Sequence, residues 1–361
     1  MKSINSLLSG FNRETSSGKY IPFVDGLRFL AIMPVIIQHA SERLLKYNPQ
    51  IEIQSGMEQQ AEFLVSRGAI GVIIFFTLSG FILSLPFAKS GSGFSYKRYL
   101  GRRLTRLEPP FIFWMSCFAL VLVIRSSLPL STVGEHWLSS IFYLHTIVYQ
   151  EFSIINPVAW SLEVEIQYYL LAPFMAILYF NQPDKLFRRA FLIVFMLVFL
   201  IYQHALGWNM FPVKASLLGH LHHFLIGMLM ADLYKNDTQW VAEKMIIWDL
   251  IAPICLLMMA HTWTEEFVKT LIMNIALAGL FIAAIMHELF FSLFGDFGQS
   301  TPWWVQLSIS LLITLPLVLL SSMIGFKLIE QPFMKRKSLT KIRSLFRLPI
   351  LKKHPFLNKQ L

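Results

Sequence analysis

Apolar runs dominate this chain. They lie at 22–40, 70–88, 109–124, 160–180, 190–206, 215–234, 246–262, 268–294 and 304–329, each near the roughly 20 residues that a helix needs to cross the hydrocarbon core of a bilayer. Backbone polar groups find no water in lipid, so stretches of this kind must pair internally as helices. Composition agrees, because only 14% of the 361 residues are charged while 55% are hydrophobic, against about 25% charged in a soluble domain. The sequence therefore predicts an all-α integral membrane protein, a polytopic bundle of about 9–10 transmembrane helices. It divides into a cytoplasmic N-terminal segment (1–20), a transmembrane domain (21–334) and a basic cytoplasmic tail (335–361).

Basic residues set the orientation. Lys97, Arg98, Arg102, Arg103 and Arg106 crowd one link; Lys185, Arg188 and Arg189 fill another; Lys235 and Lys244 a third; Lys335, Arg336 and Lys337 open the tail. The positive-inside rule puts all of these, and both termini, in the cytoplasm. The links at 41–67 and 125–159 then face outward. Nine crossings that start inside end outside, against the basic tail; either 268–302 holds a second, partial crossing or one of the nine does not cross. The net charge of +10 belongs to these loops, and no basic face with interleaved aromatics suggests nucleic acid. Cys117 and Cys255 sit inside apolar runs as small core residues, with no disulfide framework or metal spacing.

Polar residues inside apolar runs are where chemistry is expected, since intramembrane charge is costly. Arg28 and His39 share the first run, 11 positions or about 16 Å apart on one helix face. Read singly, Arg28 is also compatible with a snorkelling basic residue and His39 with an interfacial histidine. The second run, GAIGVIIFFTLSGFIL, offers Gly71, Ser79 and Gly80 for close helix approach. Arg102, Arg103 and Arg106 present guanidinium forks suited to phosphate oxygens, or simply a positive-inside cluster. Glu163 and Glu165 enter the membrane in NPVAWSLEVEIQYYLLAPF beside Trp160 and Gln167; an aromatic belt explains the tryptophan but not two acids. His220, His222 and His223 open the sixth run without an acid or cysteine at metal-ligand spacing, so no metal site is expected. No P-loop, GxSxG, HExxH or dinucleotide glycine pattern occurs.

Taken in order, these segments resemble the membrane acyltransferase family 3, O-acyltransferases of surface polysaccharides, lipopolysaccharide and similar acceptors. The opening DGLR block with its arginine and later histidine corresponds to Asp25–Arg28 and His39. The GV-FF-LSGF block corresponds to Gly71–Phe81, the R-x-x-R pair to Arg103 and Arg106, the W-S-L-x-x-E block to Trp160–Glu165, and the closing I-E-x-P to Ile329–Pro332. One departure falls at 268–302, where the family's S-Y-x-x-Y-L-x-H block is reduced to MHELFF with His287.

The resemblance implies acyl-CoA, acetyl-CoA first, as the cytoplasmic donor substrate, no permanently bound cofactor, and a carbohydrate or lipid-linked glycan acceptor outside. It also implies a bacterial inner membrane, with lipids as the remaining partner. Arg103 and Arg106 are then expected to bind the donor's phosphates, with Arg28 at the same depth. His39 is expected to act as general base or acyl-carrying nucleophile, with Glu165 orienting or charge-stabilising it. A transporter or flippase of a lipid-linked sugar and a non-catalytic relative are the competing readings. Intramembrane Arg, His and Glu suit transport equally well, although no inverted repeat is visible.

Overall fold

The computed structural model describes residues 21–47, 56–88, 95–237 and 247–286, all of them within one unit, Tyr20–Asp296. Eleven helices and no strand occur among the described residues: α1 (Pro22–Tyr47), α2 (Gly56–Val65), α3 (Ile70–Ser84), α4 (Tyr96–Arg125), α5 (Leu130–Ile141), α6 (His145–Tyr149), α7 (Trp160–Phe180), α8 (Lys185–Ala205), α9 (Leu217–Asn236), α10 (Ile247–His261) and α11 (Phe267–Met286). Three are long and apolar enough to cross a membrane: Gln59–Ser84, which takes in the turn at 66–69, Lys185–Ala205 and Phe267–Met286. Phe111–Arg125 and Ile247–His261 are shorter apolar helices. The predicted runs at 22–40 and 160–180 each lie on a single helix as well, and that at 215–234 lies on α9 from Leu217 onward.

Helix α3 is the axis of the bundle because it has no polar face. Ile73, Ile74, Phe76, Leu78 and Phe81 are all buried, so it is enclosed on every side. It packs on α1, α7 and above all α9. The α3–α9 approach is backbone to backbone. A Cβ at Gly80 would collide with the Phe224 carbonyl, and one at Gly227 with the Thr77 carbonyl and the Phe81 amide. Glycines on both partners are what permit this distance. Gly71 meets the Ala31 carbonyl of α1 in the same way, as the small-residue pattern of the second run predicts.

Helix α8 shows the opposite pattern. Phe187, Phe191, Val194, Val198 and Ile201 form an exposed apolar stripe at helical spacing; against water it would be a liability, against acyl chains it is the natural exterior. Local capping is ordinary: Asp184 accepts the Phe187 amide at 2.9 Å to start α8, and Ser95 accepts Arg98 to start α4.

The link at 125–159 carries structure that periodicity did not reveal. Helices α5 and α6 fold there, α5 against α4 and α6 against the start of α7. Glu163, only 1% exposed, reaches out of α7 to accept the Thr146 amide at 3.0 Å, which satisfies an orphan donor of the first turn of α6. In the 268–294 run the described helix ends at Met286, and its 20 residues span about 30 Å, one crossing. His287, the 304–329 run, Glu330 and the tail lie outside the described residues, as do the termini that bear on the domain boundaries.

Candidate functional site

Opposite ends of the bundle carry different chemistry. At the basic end α1, α4 and α8 begin and α3, α7, α9 and α11 finish; the histidine end is the reverse. At the histidine end lie His39, His136, His145, His204, His220, His222, His223 and His261, eight of the chain's ten histidines.

On α1, Arg28 Nη1 donates to Asp25 Oδ1 at 2.6 Å, one turn back. Nearer the histidine end, His39 Nδ1 lies 3.0 Å from Glu42 Oε2, with both side chains about half exposed (46% and 53%). The i, i+3 carboxylate engages Nδ1 and leaves Nε2 as the other ring nitrogen for a reacting group. The imidazole's carboxylate partner is therefore Glu42 of its own helix, whereas Glu165 makes its hydrogen bonds elsewhere.

Glu165 is half-buried in the bundle. Its Oε1 accepts Ser79 Oγ at 2.7 Å from α3 and Tyr169 Oη at 2.7 Å from the next turn of α7. Tyr99, at the start of α4, lies near both Arg103 and Glu165, so Arg103 of α4 and the glutamate of α7 approach one region. Of the arginine pair the Arg103 side chain is described; the Arg106 side chain lies outside the described residues. The two acids of α7 are thus sorted by geometry. Glu163 is a capping residue and Glu165 is the one that faces a polar interior.

A third feature occupies the histidine end. His220, His222 and His223, at most 4% exposed, line a cleft of about 50 Å³ together with Gln203, Lys214, Trp263 and Glu265. His220 Nδ1 and His223 Nδ1 are 3.4 Å apart, and the His222 and His223 rings lie 3.9 Å apart centre to centre. Phe76 and Trp160 pack against the His220 ring at 4.9 and 5.5 Å. Among the described residues no group of three or more His, Cys, Asp or Glu side chains is arranged to hold a metal ion.

The basic end holds a polar node of another kind. Asp232 of α9, fully buried, accepts Arg188 through both oxygens, Arg189 Nε at 2.9 Å, Tyr179 Oη at 2.9 Å and the Asn236 amide. Arg189 also pairs with Asp237 at 2.7 Å. These arginines, expected as loop charges, are instead folded into the protein.

Outside the membrane-spanning segments, His136 and His145 share a contact between Nδ1 and Nε2 of 2.7 Å, with Tyr149 stacked on His136 at 4.1 Å. Burial, with the His136 charge second, lowers the affinity of His145 for a proton. The nearby Tyr143 hydroxyl is pushed up to about 12, by burial first and by Glu108 second.

Sequence reasoning missed Glu42, Ser79 as a hydrogen-bond donor, Tyr169 as its companion, and Asp232. The signals existed: i, i+3 and i, i+4 spacings on one helix face, and an acid inside an apolar run.

A family profile described as an acyltransferase domain matches residues 21–329. The chain is 29% identical over 173 residues to "Putative peptidoglycan O-acetyltransferase YrhL" of Bacillus subtilis, covering 44% of this chain and 24% of that protein. It is 28% identical over 170 residues to "Peptidoglycan O-acetyltransferase OatA" of Listeria monocytogenes, again 44% and 24%. Against "Putative O-acetyltransferase SACOL0978" of Staphylococcus aureus it is 23% identical over 250 residues, 63% and 38%. The matched segment thus spans 24–38% of these relatives' length. No solved structure matches.

Proposed function

Because the chain belongs to the acyltransferase domain family, we propose that it is a membrane O-acyltransferase moving an acyl group, acetyl in the first instance, from acyl-CoA to a hydroxyl of a cell-surface or lipid-linked carbohydrate. The relatives named above are called O-acetyltransferases, two of them of peptidoglycan, which supports a glycan acceptor. We read the apolar runs as about 9–10 crossings of a bacterial inner membrane, with the basic end cytoplasmic.

The observation that carries the reading is the His39–Glu42 pair on the first helix of the matched domain. With Nδ1 held by the carboxylate, Nε2 takes the proton of an acceptor hydroxyl. The hydroxyl oxygen attacks the acyl carbonyl carbon, the carbon–sulfur bond breaks, and the departing CoA thiolate takes up a proton from the imidazolium. Arg103 and Arg106 bind donor phosphates near the basic end, and Arg28 works at the same depth. Glu165, held by Ser79 and Tyr169, supplies a fixed negative charge in the interior against which Arg103 is oriented.

The test is transfer of radiolabelled acetyl from acetyl-CoA to membrane glycans. Wild type is expected to transfer label and His39→Ala to lose about 10²–10⁴-fold of the rate at normal expression. Full transfer by His39→Ala sinks the assignment.

A further inference from the structure

We propose that the cleft at the histidine end is a saccharide subsite, holding hydroxyl groups of a neutral sugar through His220, His222, His223 and Gln203, with the indole of Trp263 alongside. As the docking point of the acceptor it rests on the acyltransferase reading; as a sugar-binding cleft it stands on its own geometry.

Unmet hydrogen-bonding capacity is what identifies it. His220 Nε2, both nitrogens of His222, His223 Nε2 and Gln203 Oε1 are buried and have no hydrogen-bond partner, and all four residues line the cleft. A buried polar atom left unpaired costs about 1–3 kcal/mol, so this concentration calls for an occupant. Gln203 is held by its own amide: Nε2 donates to the Leu218 and Gly219 carbonyls at 2.9 and 2.7 Å, which leaves Oε1 as its unpaired atom. Phe76 and Trp160 both pack against the His220 ring.

The character of the occupant follows by elimination. Lys214 is paired with Glu265 and lies over the Trp263 ring at 5.7 Å, so the cationic side chain in the wall is already neutralised and an anion gains little. An apolar group would leave every orphan atom unpaired. Metal-holding geometry is absent among the described residues. Adjacent buried imidazoles with no carboxylate bonded to them cannot all carry charge, and each neutral ring offers one donor and one acceptor. A hydroxyl also donates and accepts, so a row of imidazoles matches a row of hydroxyls. The space, about 50 Å³, takes a few waters or the hydroxyl-bearing edge of one sugar ring, and the rest of the glycan extends through the open mouth.

The experiment is equilibrium binding of labelled tetrasaccharides of N-acetylglucosamine, glucose and galactose to the purified full chain in detergent, without acyl donor. Wild type is expected to bind at least one of them saturably, and His222→Leu and Gln203→Leu to weaken that binding about tenfold or more. Should His222→Leu fail to fold, Asn209→Leu replaces it: Asn209 Oδ1 is a further unpartnered atom in the same cleft. Wild-type affinity in the folded variants, or no saccharide bound by wild type, overturns the proposal. Sugar binding without any acetyl transfer breaks the acyltransferase reading alone; transfer with unchanged saccharide affinity in the variants breaks the subsite alone.

Discussion

The two ends of α9 make opposite use of polar residues. Near its start, His220, His222 and His223 are buried with nitrogens that nothing in the protein satisfies. About 12 residues and 18 Å further on, Asp232 is buried with donors from Arg188, Arg189, Tyr179 and Asn236 on its two oxygens. The charged end is chemically finished, and the uncharged end is open. On the subsite proposal, unspent hydrogen-bonding capacity, and not formal charge, marks the saccharide site. A saturated ion cluster ties α7, α8 and α9 together, while the unsaturated one faces a cleft.

The largest effect that can break this contrast is removal of the anion. Asp232→Ala leaves buried Arg188 and half-buried Arg189 without their common acceptor and is expected to cost about 3–5 kcal/mol, read as loss of folded protein in thermal unfolding in detergent. An unchanged midpoint would mean that the node is not structural. Next comes His39→Ala, an exposed site, where activity should fall steeply with the unfolding midpoint unmoved. The acids of α7 sharpen the division further. Glu165→Gln is expected to lower acetyl transfer by more than tenfold with little change in stability, whereas Glu163→Gln weakens the cap on α6 and costs about 1–2 kcal/mol of stability. If the two variants behave alike in both assays, the sorting of these residues is wrong.

The smallest effect is with pH. Burial favours neutral His145 in the folded protein, so below about pH 6.5 the unfolded chain takes up a proton that the folded one resists. Stability therefore declines as pH falls through that range and is fully present above it. His145→Gln should flatten this part of the profile, measured as unfolding midpoint against pH from 5 to 8.

Much of the scaffold was legible because membrane-length apolar runs and glycine placement are one-dimensional signals. Gly71 and Gly80 could be read as contact points before any partner was known. Arg28, His39 and Glu165 stood out because charge in an apolar run is rare. What could not be read was pairing across helices. Asp232 sits in MLMADLYKN as an apparently terminal acid, and only the fold brings Arg188 from α8 onto it. Glu163 and Glu165 are chemically identical and two residues apart; their 200° separation around the helix sends one to α6 and the other to α3. The histidine triplet was weighed as a metal site and set aside for want of an acid, although neutral imidazoles have another use.

The glycine contact between α3 and α9 has a mechanical consequence. Two helices whose backbones touch cannot slide or roll past each other without a clash, so they form a single strut. Ser79 on one and the histidines on the other ride on that strut with a fixed spacing. Any opening that the proposed transfer requires must come from the surrounding helices swinging about this axis.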